Sequence, residues 1–371
     1  MRPLTSVFST AVVVSTLACS PASGDILVAT AGPISGDLAY LGEQQVRGVE
    51  MALADLNAEG GVLGQTVRLQ SVDDACDAEQ AVAAAGKAVA DGAVVVIGHV
   101  CSAASIPAAA VYARAGVLMI SPSSTNPQLT EQGLPNVFRL CGRDDQQGAI
   151  AGDYLAEHWA GKRIAILHDG TVYGQGLAEE TRKRLNILGG KEALFRSYTP
   201  GERSYLALLR ELQAAGIEVV YLGGYSSDSG LMVRQAHDMD YPVPFLAGDG
   251  ISAQDFWLLA GPAGEGTMFT SSPDARRLPR AAALVERFRA AGFEPEGSTL
   301  DNYAAVQIWA QAVREAGTTQ LEVVAGVLRR REFETVLGRI GFDGKGDTTK
   351  PSFAWYVWRD GDYVPKEDLT R

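Results

Sequence analysis

The segments VRLQSVDDACD (67–77) and VVVIGHVCS (94–102) decide the fold of this chain. Each reads as a β-strand with a cysteine at its end, and the stretch between them has a helical pattern. A strand–helix–strand order predicts two neighbouring parallel strands whose carboxyl ends lie on one edge of a sheet. Cys76 and Cys101 are then placed plausibly for a disulfide, and the alternative is two unrelated buried thiols.

The same cysteines and the N-terminus indicate the compartment. Disulfides persist mainly outside the cytosol, so a bridged pair places the protein beyond the inner membrane. VFSTAVVVSTLA (7–18) is apolar and too short to span a bilayer, which is typical of a signal-peptide core. We predict a signal peptide over 1–24, cleaved after Ala22-Ser23-Gly24. Lipidation at Cys19 is the alternative, although Thr16 stands where lipoprotein sites carry a large aliphatic residue.

Strand and helix patterns alternate along nearly the whole chain. The strand patterns are apolar without alternation, as in parallel sheets covered on both faces. The helix predicted over 43–58 ends at Glu59-Gly60-Gly61, a typical C-terminal stop. The sequence therefore predicts a doubly wound α/β fold. Besides the two segments quoted first, the predicted strands are 26–32, 116–121, 163–169, 218–224 and 244–249, and the further predicted helices are 78–91, 144–159, 174–188, 203–215, 228–239, 280–291 and 300–316.

Charge and length narrow the class of protein. The formal net charge is −12 with no basic cluster, which argues against nucleic acid and anionic membranes as partners. Removal of 1–24 leaves 347 residues, more than one hydrophobic core accommodates, so two lobes are expected. The segment 353–364 predicts an antiparallel hairpin about Asp360-Gly361. In such folds ligands bind at the carboxyl ends of the strands.

Eight segments together resemble one family: the type I periplasmic solute-binding proteins of ABC importers, in the branch that binds leucine, isoleucine and valine. Each segment alone is weakly specific, whereas eight in order are highly specific. In that family two cysteines, separated here by 25 residues, form a disulfide. The segments are GPISGDLAYLG (32–42), GVEMALADLNAEGGVLGQ (48–65), DDACDAEQAV (73–82), VIGHVCS (96–102), SPSSTNPQLT (121–130), GRDDQQG (142–148), VYGQGLA (172–178) and YLGGYSSDSG (221–230).

The resemblance implies two Rossmann-like lobes joined by a hinge. Lobe one is expected over 25–143 and 272–348, and lobe two over 144–271 and 349–371. The implied function is that of the extracytoplasmic substrate-binding component of an ABC transporter. It captures a branched-chain or other apolar amino acid between the lobes and delivers it to permease subunits in the inner membrane. A periplasmic monomer that needs no cofactor or metal is expected.

Three residues of lobe one are candidates for the ligand's charged end. Ser102 opens a helix-patterned segment after the Cys101 strand end, where its hydroxyl and nearby N–H groups suit a carboxylate. The resemblance implies that Ser102 and Thr125 contact the carboxylate and that the carbonyl of Ser123 accepts from the ammonium group. The alternative is that these hydroxyls only cap helices.

Tyr173, Tyr225 and Asp249 lie at predicted strand ends of lobe two. The resemblance implies that they close over the amino acid and that Asp249 pairs with its ammonium group. The family usually carries Glu there, and Asp is one methylene shorter, so the ammonium is expected to shift toward lobe two or to be reached through water. An Asp before Gly is also a common turn former. Leu41 stands where the family often places an aromatic residue, which changes the pocket for the ligand's side chain.

Other functions stay open at this point. The same fold could bind an amide, urea or an aromatic carboxylate, for transport or for sensing. A secreted α/β hydrolase is a further alternative, but the sequence has no His-Glu-x-x-His, Cys-x-x-Cys or Gly-x-Ser-x-Gly motif. Cys141 is interpreted as a small buried hydrophobe. The histidines that a hydrolase could use each stand alone: His99, His158, His168 and His237.

Overall fold

The computed structural model describes residues 24–370, which form two large sheets with helices packed against them. The predicted signal peptide, with Cys19, lies outside the described residues except for Gly24. The first sheet has five parallel strands in the order β2-β1-β3-β4-β5. These strands are β1 (Ile26–Gly32), β2 (Val67–Asp73), β3 (Val95–Gly98), β4 (Leu118–Ser121) and β5 (Val137–Arg139).

The second sheet has seven strands in the order β14-β13-β10-β9-β8-β6-β7. Strands β6–β10 are parallel, and β13 and β14 extend the sheet as an antiparallel hairpin. That hairpin turns at Asp360-Gly361 as predicted, and both residues have positive φ angles, of 51° and 88°. The strands are β6 (Ile164–His168), β7 (Leu194–Ser197), β8 (Val219–Gly223), β9 (Phe245–Ala247), β10 (Met268–Ser271), the separate ribbon β11 (Phe333–Thr335) and β12 (Gly338–Ile340), then β13 (Ala354–Arg359) and β14 (Asp362–Pro365).

The helices follow the predicted pattern, with three additions. The side chain of Asp77 caps one helix by accepting from the N–H groups of Glu79 and Gln80. Three helices of four, seven and eight residues, α4, α9 and α12 below, were not predicted. The helices are α1 (Ala39–Ala58), α2 (Ala78–Ala90), α3 (Ser102–Ala115), α4 (Gln128–Glu131), α5 (Asp144–His158), α6 (Val172–Ile187), α7 (Leu206–Ala214), α8 (Ser226–Asp238), α9 (Gln254–Ala260), α10 (Ala282–Ala290), α11 (Thr299–Ala316) and α12 (Leu321–Leu328). None of the helices within 24–370 is long and apolar enough to cross a membrane.

The packing shows which elements belong with each sheet. Side chains of α10, α11 and α12 are buried in one core with β1, β3 and β4, although they follow the strands of the second sheet in sequence. Trp309 and Phe138 are among the largest side chains in that core. Trp358 of β13 is buried with Phe256 and Phe269 in the core of the second sheet. Each fully buried side chain of this kind contributes about 1.5–3 kcal/mol.

The disulfide joins Cys76 to Cys101 with 5.4 Å between their Cα atoms. The prediction that their two strands are neighbours in the sheet was wrong, because β1 lies between β2 and β3. The bridge still forms because each cysteine lies three residues beyond the end of its strand. The two loops therefore meet over the end of β1, where the N–H of Asp74 donates to the carbonyl of Gly32 at 3.0 Å.

Candidate ligand-binding site

A cavity lies between the two sheets, at the carboxyl ends of their parallel strands, as this fold class predicts. Its volume, counted as the space open to the centre of a water molecule, is about 90 Å³. Six of the seven residues singled out from the sequence line it. They are Leu41, Ser102 and Ser123 from the side of the first sheet, and Tyr173, Tyr225 and Asp249 from the side of the second.

The wall on the first sheet's side presents hydroxyl groups. Ser102 is the first residue of α3, and its hydroxyl accepts a hydrogen bond from the N–H of Asn126 at 3.2 Å. The hydroxyl of Ser123 is buried and has no hydrogen-bond partner within residues 24–370. A helix N-terminus carries partial positive charge and unpaired N–H groups. This wall therefore suits a carboxylate, which accepts hydrogen bonds only.

The opposite wall holds a fixed carboxylate. The hydroxyl of Tyr173 donates to a carboxylate oxygen of Asp249 at 2.8 Å and accepts from the N–H of Gly250, also at 2.8 Å. The ring of Tyr173 packs against that of Tyr225, with centroids 5.1 Å apart. Tyr173 lies in the first turn of α6, and Tyr225 immediately precedes α8. Asp249 is thus held in one position before any ligand arrives.

The charged side chains that line the cavity are all acidic among the described residues. Burial raises the pKa of Asp249, and the hydrogen bond from Tyr173 opposes this rise. Burial also raises the pKa of nearby Asp144 well above its usual range, and the charge of Asp249 adds to that rise. None of the described residues that line the cavity is Lys, Arg or His. The cavity therefore favours a cationic group next to Asp249, because an opposite charge there stabilises the ionised carboxylate that burial disfavours.

Thr125 is the predicted residue that does not line the cavity. It is 1% exposed, and its carbonyl accepts the N–H of Asp144 at 2.9 Å. Thr125 therefore lies in the loop between β4 and α4, bonded to the first residue of α5. Its hydroxyl is buried and has no hydrogen-bond partner within residues 24–370, and its expected contact with a ligand carboxylate stays a prediction.

Sequence reasoning missed several residues of the cavity. Cys141, interpreted as a buried hydrophobe, is partly exposed and lines the cavity directly, so that interpretation was wrong. Ser271 ends β10, a strand end that could have been read like the others. Gln44 and Asp301 also line the cavity, but they lie on α1 and α11, away from any strand end. For these two the sequence held no comparable signal.

Hydrogen bonds join the two sides at the rim of the cavity. The side-chain amide of Asn126 donates to the carbonyl of Val172 at 2.9 Å, and the N–H of Gln254 donates to the carboxylate of Glu296 at 2.9 Å. A hydroxyl contact from Ser227 to the carbonyl of Asp37, at 3.4 Å, adds a weaker link. These hydrogen bonds hold the two sides of the cavity together in this structure.

His99 has a structural role away from the cavity. Its ring is fully buried between the carboxylate of Asp74 and the hydroxyl of Tyr112, which lies 2.9 Å from Nε2. Within the described part of the chain, no three His, Cys, Asp or Glu side chains are grouped so that they could hold a metal ion. The cavity itself presents hydroxyl groups, carboxylates and apolar surface, which can bind a small ligand by hydrogen bonds, ion pairs and apolar contacts.

Comparison with known proteins agrees with this geometry. Residues 25–362 match the protein family described as "Periplasmic binding protein". The chain belongs to this family. A curated relative, "Leu/Ile/Val-binding protein homolog 1" of Brucella suis, is 46% identical over 338 residues, which cover 91% of each chain.

Solved structures of periplasmic binding proteins share the fold. The leucine binding protein LivK of Thermotoga maritima superimposes with a TM-score of 0.84 at 28% identity, covering 92% of this chain and 97% of LivK. LivJ of Streptococcus pneumoniae, a branched-chain amino acid transporter substrate binding protein in complex with isoleucine, gives a TM-score of 0.83 at 25% identity. That comparison covers 92% of this chain and 99% of LivJ. This family is one of binding proteins, and its periplasmic setting agrees with the disulfide.

Proposed function

We propose that this protein is the substrate-binding component of an ABC importer, and that it binds an α-amino acid in the cavity between its lobes. The observation that carries the proposal is that two facing walls of the cavity have complementary chemistry. Hydroxyl groups at the start of α3 face the cavity from one side, and Asp249, held by Tyr173, faces it from the other. A free amino acid carries one carboxylate, which can accept from the hydroxyl groups, and one ammonium group, which can donate to Asp249.

The contacts follow from the chemistry of each wall. The ligand carboxylate accepts from the hydroxyls of Ser102 and Ser123 near the positive end of α3. The ligand ammonium donates to Asp249 and to the carbonyl of Ser123. Each hydrogen bond to a charged group contributes about 1.5–3 kcal/mol when both partners are buried.

Apolar surface is available for the ligand's side chain. Leu41, Val100 and Pro122 line the cavity and offer contacts to an aliphatic group. The named relatives are leucine, isoleucine or valine binders, which supports a branched-chain or other aliphatic amino acid as ligand. Leu41 gives this wall a flexible aliphatic surface in place of a rigid aromatic one.

The lobes are proposed to open and close about three crossings of the chain. Lobe one comprises 25–143 and 272–348, and lobe two 144–271 and 349–371. Two of these crossings are tied together, because Asp347 accepts from Arg139 at 2.8 Å and from Arg143 at 2.9 Å. Opening then breaks the rim hydrogen bonds, at about 0.5–1.5 kcal/mol each, while the tie at Asp347 stays intact.

Delivery requires export and a partner. The proposed signal peptide, 1–24, directs the chain to the periplasm, and the mature protein acts there as a monomer. The closed form docks on permease subunits in the inner membrane and releases the amino acid to them. Lipidation at Cys19 would tether the same protein to the membrane without changing the site.

Ligand screening on unfolded and refolded protein tests the proposal. Leucine is expected to raise the melting temperature, since a ligand that binds only the native state stabilises it. 4-Methylpentanoic acid lacks the ammonium group and 3-methylbutylamine lacks the carboxylate, so neither should produce a comparable shift. A shift by benzoate, urea or a simple amide, with none by any amino acid, would contradict the proposal and favour the other ligand classes.

A further inference from the structure

A second carboxylate, that of Asp301, lines the cavity from the side of the first sheet. Asp301 lies in the first turn of α11. Within the described part of the chain, no other residue donates a hydrogen bond to its side chain or forms an ion pair with it. Two other partly buried acids have an arginine partner: Asp347 meets Arg139, and Asp55 meets Arg287. The α-amino acid head group, as assigned above, does not use Asp301.

The surroundings of Asp301 are polar. Ser298 immediately precedes α11 and lines the cavity with Gln44, whose side-chain oxygen accepts from the N–H of Ser298 at 3.2 Å. Burial raises the pKa of Asp301 to about 7. Leaving an ionised carboxylate in such a place without a partner costs free energy, which a cation beside it would recover.

Stabilisation of α11 does not require this placement. An acidic residue in the first turn of a helix interacts favourably with the helix N-terminus, and it does so at solvent-exposed positions as well. Glu322 in the first turn of α12 is such a case, exposed and away from the cavity. The position of Asp301 on the cavity wall therefore calls for a separate explanation.

We propose that Asp301 binds a cationic group at the end of the ligand's side chain, an inference that rests on the proposed function. The cavity then accepts α-amino acids whose aliphatic side chain ends in an ammonium group, in addition to purely aliphatic ones. Asp249 serves the α-ammonium group and Asp301 the terminal one, while Leu41 and Val100 contact the aliphatic stem between them. Among the described residues, the cavity wall has two carboxylates and no Lys, Arg or His, so it can pair with two ammonium groups on one ligand.

Isothermal titration with a matched ligand series tests this inference. Norleucine and lysine share a straight four-carbon chain, and lysine adds the terminal ammonium group. Ornithine and 2,4-diaminobutyrate shorten the chain, so the series finds the length that reaches Asp301. Wild type is expected to bind the best dibasic ligand at least as tightly as norleucine. Asp301→Asn should weaken that ligand by about 10- to 100-fold and leave norleucine within about threefold.

Controls separate the possible outcomes. Glu322→Gln removes a first-turn acid outside the cavity and should change neither affinity. Binding of leucine and norleucine with rejection of all three dibasic ligands would overturn the inference while leaving the proposed function intact, and it needs only wild type. An unchanged lysine-to-norleucine ratio in Asp301→Asn would overturn it too. Failure to bind any amino acid would overturn the proposed function and this inference together.

Discussion

Asp249→Asn removes the negative charge that the proposed ligand ammonium requires, with almost no change in shape. The asparagine can still accept from the Tyr173 hydroxyl, which lies 2.8 Å from the carboxylate in the native protein. What is lost is the charge, in a cavity wall that has no Lys, Arg or His among the described residues. Leaving one partner of a buried charge pair uncompensated costs about 3–5 kcal/mol. Leucine affinity should therefore fall by about 10²- to 10⁴-fold.

Titration calorimetry with leucine and 4-methylpentanoic acid measures this effect. Wild type should bind leucine and reject the acid, whereas Asp249→Asn should narrow the gap between the two ligands. Asp255→Asn is the matched control, because it neutralises a nearby acid that does not line the cavity. If Asp249→Asn bound leucine within about threefold of wild type, the assignment of the ammonium to Asp249 would be refuted.

Two further outcomes are expected. Replacing Cys76 and Cys101 by serine should lower the free energy of unfolding by about 2–4 kcal/mol, measured by urea denaturation, and equal stability with and without reductant in wild type would contradict this. The second concerns pH: burial, with a contribution from Asp255 and against the effect of Arg276, raises the pKa of Glu296 to about 7. Because burial disfavours the ionised form of Glu296, the stability of the closed, leucine-saturated protein should fall as pH rises from about 4.5 to 7. Glu296→Gln should flatten that part of the melting-temperature profile, and an identical profile would exclude Glu296 as the cause.

Much of the fold could be predicted because apolar runs and helical periods report burial directly. The strand over 26–32 was predicted with the bounds that the structure shows, and the turn at Asp360-Gly361 follows from local chemistry. Strand order could not be read in the same way. Placing β1 between β2 and β3 is a property of the whole sheet, and neither strand's sequence records it.

The residues of the candidate site fall into two groups in the same way: those that a local sequence pattern reveals and those that long-range packing places. Residues at strand ends, such as Ser102 and Asp249, could be picked out because the fold brings those ends to one edge. Thr125 also follows a strand, yet it is not among the residues that line the cavity, and its carbonyl accepts the N–H of Asp144. Asp301 reaches the cavity only through the packing of α11 against α1, a long-range contact that no local pattern announces.

The central claim is that two lobes close around an amino acid, and small-angle X-ray scattering tests it most directly. The hydrogen bonds from Asn126 to Val172 and from Gln254 to Glu296 join the two sides in this structure and would break on opening. Protein freed of ligand by unfolding and refolding should therefore have a larger radius of gyration than the same protein saturated with leucine. The scattering of the saturated protein should match the closed structure. Identical profiles with and without leucine, under conditions where calorimetry shows the site filled, would contradict the clamp.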